Sequence, residues 1–119
     1  MENILQKADQ VDLVYAINEP AAYGGYAALK AAGREKGVTL VAIDGGCQGV
    51  KWVKEGIIGA TSQQYPLLMA ADGVQAVADF IKTGKKPTSM DTGEKLVTDH
   101  PVPGVPSISV EEGLKLCWG

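Results

Sequence analysis

The order of apolar runs and glycine turns predicts an α/β protein, a parallel sheet with flanking helices. Three short runs rich in β-branched residues, at 11–17, 38–43 and 57–62, each give way at a polar residue to a helical pattern. Strands alternating with helices require parallel pairing through right-handed crossovers. The polar residues at the three exits are Asn18, Asp44 and Gln64. In open α/β sheets the carboxyl ends of the strands are where ligands bind.

Residues 2–9 set Ile4, Leu5 and Ala8 on one side and predict a short helix. Residues 11–17 (VDLVYAI) form the first expected buried strand. Asn18-Glu19-Pro20 starts a helix, since proline suits the first helical position, where its missing N–H costs nothing. That helix is expected to reach about Lys36, with Gly37 as its C-cap. Its near face is built of alanine and glycine, which suits close packing on a sheet. Residues 38–49 (VTLVAIDGGCQG) are the organising stretch: a strand expected to be buried on both faces, Asp44, a double-glycine turn, then a helix over 50–55. Residues 57–62 (IIGATS) predict the third strand, with Gln63-Gln64-Tyr65 at its exit. Pro66 opens a helix expected over 67–82, where Leu67, Ala70, Val74, Val77, Ala78 and Ile81 recur at helical spacing.

Beyond Pro87 prolines crowd the chain and only 95–98 reads as a strand. Ser109 and Glu112 match a capping box for a last short helix ending near Cys117. This tail is too poor in apolar residues to form its own domain and is expected to lie across the α/β body.

Composition narrows the function classes. The 119 residues suit one small domain, and 45 % hydrophobic with 21 % charged residues is ordinary for a globular protein. A net charge of -3 offers no basic patch, which argues against nucleic acid as a partner. No apolar run is long enough to span a bilayer. The opening MENILQKADQ lacks the pattern of an export signal, so an intracellular protein, a mature chain and a piece of something longer all stay open. Cys47 and Cys117 lack CxxC spacing and could be a disulfide or two free thiols.

Asn18, Asp44 and Gln64 suit a neutral polyol. A carboxylate accepts from hydroxyls, while amides both donate and accept, so vicinal hydroxyl pairs can be held bidentately. Gln63 and Tyr15 are further candidates near the strand ends, and Trp52 and Trp118 could stack on a sugar face. The plainer reading is that polar residues end strands as turn formers and caps: Asn18 could satisfy the first turn of its helix, and Asp44 could cap the helix after Gly46. A small nucleotide-binding Rossmann-like domain is the weaker alternative. The glycine spacing after Asp44 does not match G-x-G-x-x-G, and the carboxylate would repel a phosphate at that helix start. No catalytic motif or metal-spaced cluster appears, and the single histidine, His100, reads as a surface residue, so neither an enzyme nor a cofactor or metal is expected.

Segments YAINEPAAYGGYAALKAAG, VTLVAIDGG and GATSQQYP with the helix after it resemble the C-terminal part of periplasmic sugar-binding proteins of the ribose-binding type, receptors of bacterial ABC transporters. The tail, with DTGEKLVTD and CWG, looks most like the fructose-binding branch. The resemblance implies a type I clamshell of two Rossmann-like domains, a periplasmic location, no catalysis, and a membrane permease as partner. It implies sugar contacts at Asn18 (the N-[DE] motif), Asp44 (I-D-G) and Gln64 (before Y-P), with Gln63 beside it. Mapped on the family, 1–64 is the end of the second domain, 65–86 a helix that crosses to the other domain, and 87–119 a crossing tail. Such receptors are more than twice this length. The expected complement is therefore the N-terminal portion as a separate chain, or a second copy in a swapped homodimer; a half-protein without ligand competence is the alternative. An oxidising periplasm would permit a Cys47–Cys117 disulfide stapling the tail to the binding loop.

Overall fold

A computed structural model describes residues 1–119. Helix α1 (Glu2–Leu5) leads to strand β1 (Leu13–Tyr15), helix α2 (Glu19–Ala31), strand β2 (Thr39–Asp44), helix α3 (Cys47–Lys54), strand β3 (Ala60–Gln63), helix α4 (Pro66–Thr83), strand β4 (Lys95–Val97) and helix α5 (Val110–Leu116). The sheet order is β1-β2-β3-β4. The first three strands are parallel, as expected, but β4 runs antiparallel to β3, so the sheet is mixed. The chain reaches β4 through α4 and a return segment, part of which lies beside α4.

The registers define the two faces. Val14 pairs with Leu40, Ala42 with Thr61, and Thr61 with Val97. These residues point to the helical side, where Leu40, Ala42, Thr61 and Val97 are buried beside Ala22, Val50, Val53 and Val110. The opposite face carries Leu13 and Tyr15, 60 % and 65 % exposed, and half-buried Val41 and Ile43. The expectation of strands buried on both faces is therefore corrected: helices cover one face only, and β1 is a short, exposed edge.

Two boundaries moved for identifiable reasons. Helix α2 stops at Ala31, not near Lys36, because Gly33 at φ +66 forms a Schellman end. The Gly33 N–H donates to the Lys30 carbonyl and the Arg34 N–H to the Leu29 carbonyl. Arg34 then donates from its guanidinium to the carbonyls of Leu5, Ala8 and Asp9, tying the end of α2 to the first segment. Residues 57–59 close α3 instead of starting β3: the Ile57 and Ile58 N–H groups both donate to the Trp52 carbonyl, while the Ile58 side chain is fully buried.

Helix α5 starts as the capping box predicts, with Ser109 accepting from the Glu112 N–H. It packs on α3 where Gly113 lies under Val97 and Val50; a Cβ there would sit 2.8 Å from Val97 Cγ1. Its end is fixed by a disulfide between Cys47 and Cys117, whose Cα atoms are 4.9 Å apart. Helix α4 is different in kind. None of its residues is buried, and Leu67, Val74, Val77 and Ile81 face solvent. With α4 standing out, the radius of gyration is 17.9 Å, against about 13–14 Å for a compact domain of this length.

The disulfide closes a separation of 70 residues around most of the core. On the chain-entropy model it contributes about 4 kcal/mol. Urea unfolding of oxidised and reduced protein is expected to differ by that order; coincident transitions would mean that the bridge constrains nothing the unfolded chain can explore.

Candidate functional site

Strand β2 ends in a strained turn. Asp44 has φ +110, a region that non-glycine residues avoid, and Gly45 follows at φ +69. A backbone held there costs on the order of 1–3 kcal/mol and persists when neighbours over-determine it. They do. The Asp44 carbonyl accepts from the Gln64 N–H at 3.0 Å and from the Trp118 Nε1–H at 3.3 Å. The Gly45 N–H donates to Glu19 Oε1 at 2.6 Å, and the Gly45 carbonyl accepts from Gln63 Nε2 at 3.0 Å. The turn is thus gripped from α2, β3 and the C-terminus together.

The strain re-aims Asp44. Its Oδ1 accepts from Gln64 Nε2 at 2.7 Å, which joins two of the three predicted exit residues. Asn18 and Asp44 both line an open cavity of about 300 Å³ at the carboxyl ends of the strands, walled by Trp52 and Trp118. Asn18 also caps α2, its Oδ1 accepting from the Ala21 N–H at 2.9 Å. That cap leaves the Asn18 amide N–H groups to donate elsewhere. Cap and cavity wall are therefore the same residue.

The secondary candidates separate. Gln63 is fully buried, pointing away from the cavity, and its Nε2 donates to the carbonyls of Gly45 and Gly113. It is a strut between the turn and α5. Tyr15 sits on the uncovered sheet face, away from the cavity. Trp52 stacks on Tyr23 with ring centroids 4.5 Å apart, so one of its faces is already occupied. Glu19 and its partner Thr61 were not singled out in the sequence, where Glu19 reads as an ordinary first-turn acid. Its place directly after Asn18 was the available signal.

The turn is poorly suited to phosphate. The Gly45 N–H is used by Glu19, and the Cys47 N–H, first in α3, donates to the Trp118 carbonyl at 3.0 Å. Two of the donors that an anion would need are committed, and Asp44 adds negative charge beside them.

Two outcomes follow from this geometry. A Cβ on Gly45 would lie 2.3 Å from the Gln63 side chain, and the positive φ is strained besides. Gly45→Ala is expected to cost at least about 2 kcal/mol of stability in urea unfolding; a cost near zero would mean that the turn rebuilds freely. Next to Gln64, burial raises the Tyr65 phenol above its usual 10.0, and the Glu112 carboxylate raises it further. A pKa raised by folding means stability that is full below pH 10 and is lost as pH climbs through the folded value. Glu112→Gln is expected to move the Tyr65 titration, followed by absorbance at ~295 nm, to lower pH; no movement would refute the placement.

Comparison with known proteins agrees with this architecture. Residues 1–86 match the family model described as periplasmic binding protein domain. The ribose import binding protein RbsB of Haemophilus influenzae is 40 % identical over 85 residues, covering 71 % of this chain and 28 % of the relative. The D-allose-binding periplasmic protein of Escherichia coli is 32 % identical over 83 residues, covering 70 % of this chain and 27 % of the relative. The crystal structure of the Caulobacter myo-inositol binding protein bound to myo-inositol superposes with a TM-score of 0.74 at 27 % identity, over 82 % of this chain and 34 % of that one. The chain spans less than a third of the length of these two curated relatives. With the family model matched over most of its length, the chain belongs to the periplasmic binding protein domain family.

Proposed function

We propose that this chain supplies one wall of a monosaccharide site in a sugar-uptake receptor and binds without catalysis. Asn18, Asp44 and Gln64 are the hydroxyl ligands. The observation that carries the reading is Asp44, held by a strained turn on the wall of the strand-end cavity and bonded there to Gln64, which is not itself a lining residue. Asn18 has amide donors to offer, Asp44 carboxylate lone pairs, and Gln64 a carbonyl oxygen, so adjacent hydroxyls can each be met by a donor and an acceptor. A site of that kind discriminates against analogues lacking a hydroxyl, because its own polar groups are then left unpaired.

The relatives that bind ribose, allose and myo-inositol support a ligand with vicinal hydroxyls. The resemblance of the tail to the fructose-binding branch makes fructose the fourth candidate. Periplasmic location and delivery to an ABC permease belong to the same proposal. The complement of the cleft is a further polypeptide segment or a second copy; the uncovered sheet face and the unpacked α4 support some such partner. Residues 65–86 are the segment proposed to lie against it.

Calorimetric titration with ribose, allose, fructose and myo-inositol tests the reading. Asp44→Ala is expected to weaken binding about 100-fold or more, since hydrogen bonds to a charged group are lost. An unchanged affinity would remove Asp44 from the site. A folded wild-type chain that takes up none of the four would favour the alternative, a structural half without ligand competence.

A further inference from the structure

Glu19 follows Asn18 and lines the same cavity, but its carboxylate is engaged by the protein. Glu19 is 3 % exposed. Its Oε1 accepts from the Gly45 N–H at 2.6 Å and from Thr61 Oγ1 at 2.5 Å. Gly45 is the residue after Asp44, and Thr61 stands in β3, three residues before Gln64. One carboxylate oxygen therefore joins the residue after Asn18 to the residue after Asp44 and to the interior of β3.

The sheet ladder cannot do this. The last registered pair between β1 and β2 is Tyr15 with Val41, and between β2 and β3 it is Asp44 with Gln63. The Gln64 N–H donates to the Asp44 carbonyl and closes that ladder, so strand pairing places Gln64. Asn18 lies three residues past Tyr15, and its distance from Asp44 is set by something other than pairing. We infer that Glu19 is the positioning residue of this site, a pin that sets the spacing of Asn18 from the Asp44–Gln64 pair through its bonds to Gly45 and Thr61. The inference rests on the sugar-site reading above.

A second observation supports it. Gly49 lies inside α3, where glycine is unfavourable relative to alanine. A Cβ there would fall 2.3 Å from Glu19 Cγ and 2.5 Å from Cδ. The helix gives up a side chain at the place the carboxylate occupies. Burial of a carboxylate is itself costly unless donors meet it, and an apolar residue could fill the same space without that cost. Space-filling alone does not explain the choice.

The double variant Glu19→Ala with Gly49→Ala separates packing from positioning. The new methyl occupies part of the vacated space and strengthens α3, so Tm is expected to fall less than for Glu19→Ala alone, the remaining loss coming from the unpaired Gly45 N–H and Thr61 hydroxyl. Two other readings should not recover. The Gln64 side-chain amide protons, shifted in NMR by donation to Asp44, should move toward free-amide values, and monosaccharide affinity should fall about tenfold or more. Glu19→Gln keeps an acceptor oxygen in the same shape and should restore both. If the double variant keeps the Gln64 signature and its affinity, Glu19 is packing and the inference is wrong. If the wild type binds no sugar while the double variant loses the Gln64 signature, the pin stands and the sugar-site reading falls. Should the double variant not fold, Thr61→Val removes one donor at constant shape. A smaller shift of the same Gln64 protons is then expected, and no shift would overturn the inference.

Discussion

Most of the structure depends on the turn after β2. Asp44 and Gly45 both sit at positive φ, and only one of them is glycine. Left alone, an aspartate would relax out of that conformation. Four hydrogen bonds reach the turn's backbone, from Glu19 in α2, Gln63 and Gln64 at the end of β3, and Trp118 at the C-terminus. At roughly 1 kcal/mol net each, they match the strain of one residue held out of its preferred region. Two of the residues that hold the turn, Glu19 and Trp118, also line the cavity. Strain, fold closure and site geometry are thus one problem with one solution.

That solution explains the role of the tail. Residues 95–119 add an antiparallel strand, a short helix over α3 and a disulfide to the α3 N-terminus. The same segment puts the Trp118 carbonyl on the Cys47 N–H and the Trp118 indole on the Asp44 carbonyl. Without it, Gln63 would lose its Gly113 contact and the turn one of its four holds. With 18 of 119 residues buried, the core is small for the chain length, and a covalent staple is the device small cores use. The uncovered sheet face and α4 account for much of the shortfall, since their apolar residues contribute nothing to this core.

Family membership and site geometry bear on different questions. The family model and the relatives establish the architecture of a solute receptor domain. The arrangement of Asn18, Asp44 and Gln64 bears on what such a domain could hold. A donor, a carboxylate and a paired carboxamide at three adjacent strand ends favour a neutral ligand dense in hydroxyls over an anion, because Asp44 is negative and the Gly45 and Cys47 N–H groups are already committed.

Sequence alone determined the repeated strand–turn–helix units, the three polar exits and the Ser109 capping box, because each depends on local pattern: periodicity, proline at a helix start, a hydroxyl three residues before a glutamate. The match to the N-[DE], I-D-G and Q-Y-P motifs rested on local order in the same way. What only the tertiary structure decided depends on partners distant in the chain. Gln63 and Gln64 are identical and adjacent, yet successive strand residues face opposite ways, so β3 pairing alone sent one into the core and the other to Asp44. The inward turn of Glu19 required the gap at Gly49, and the antiparallel β4 required the tail to fold back. The single covered face required helices that all came from one side. None of these is a property of a window of residues; each is set by which surfaces meet, and burial assigns it only after the chain has closed.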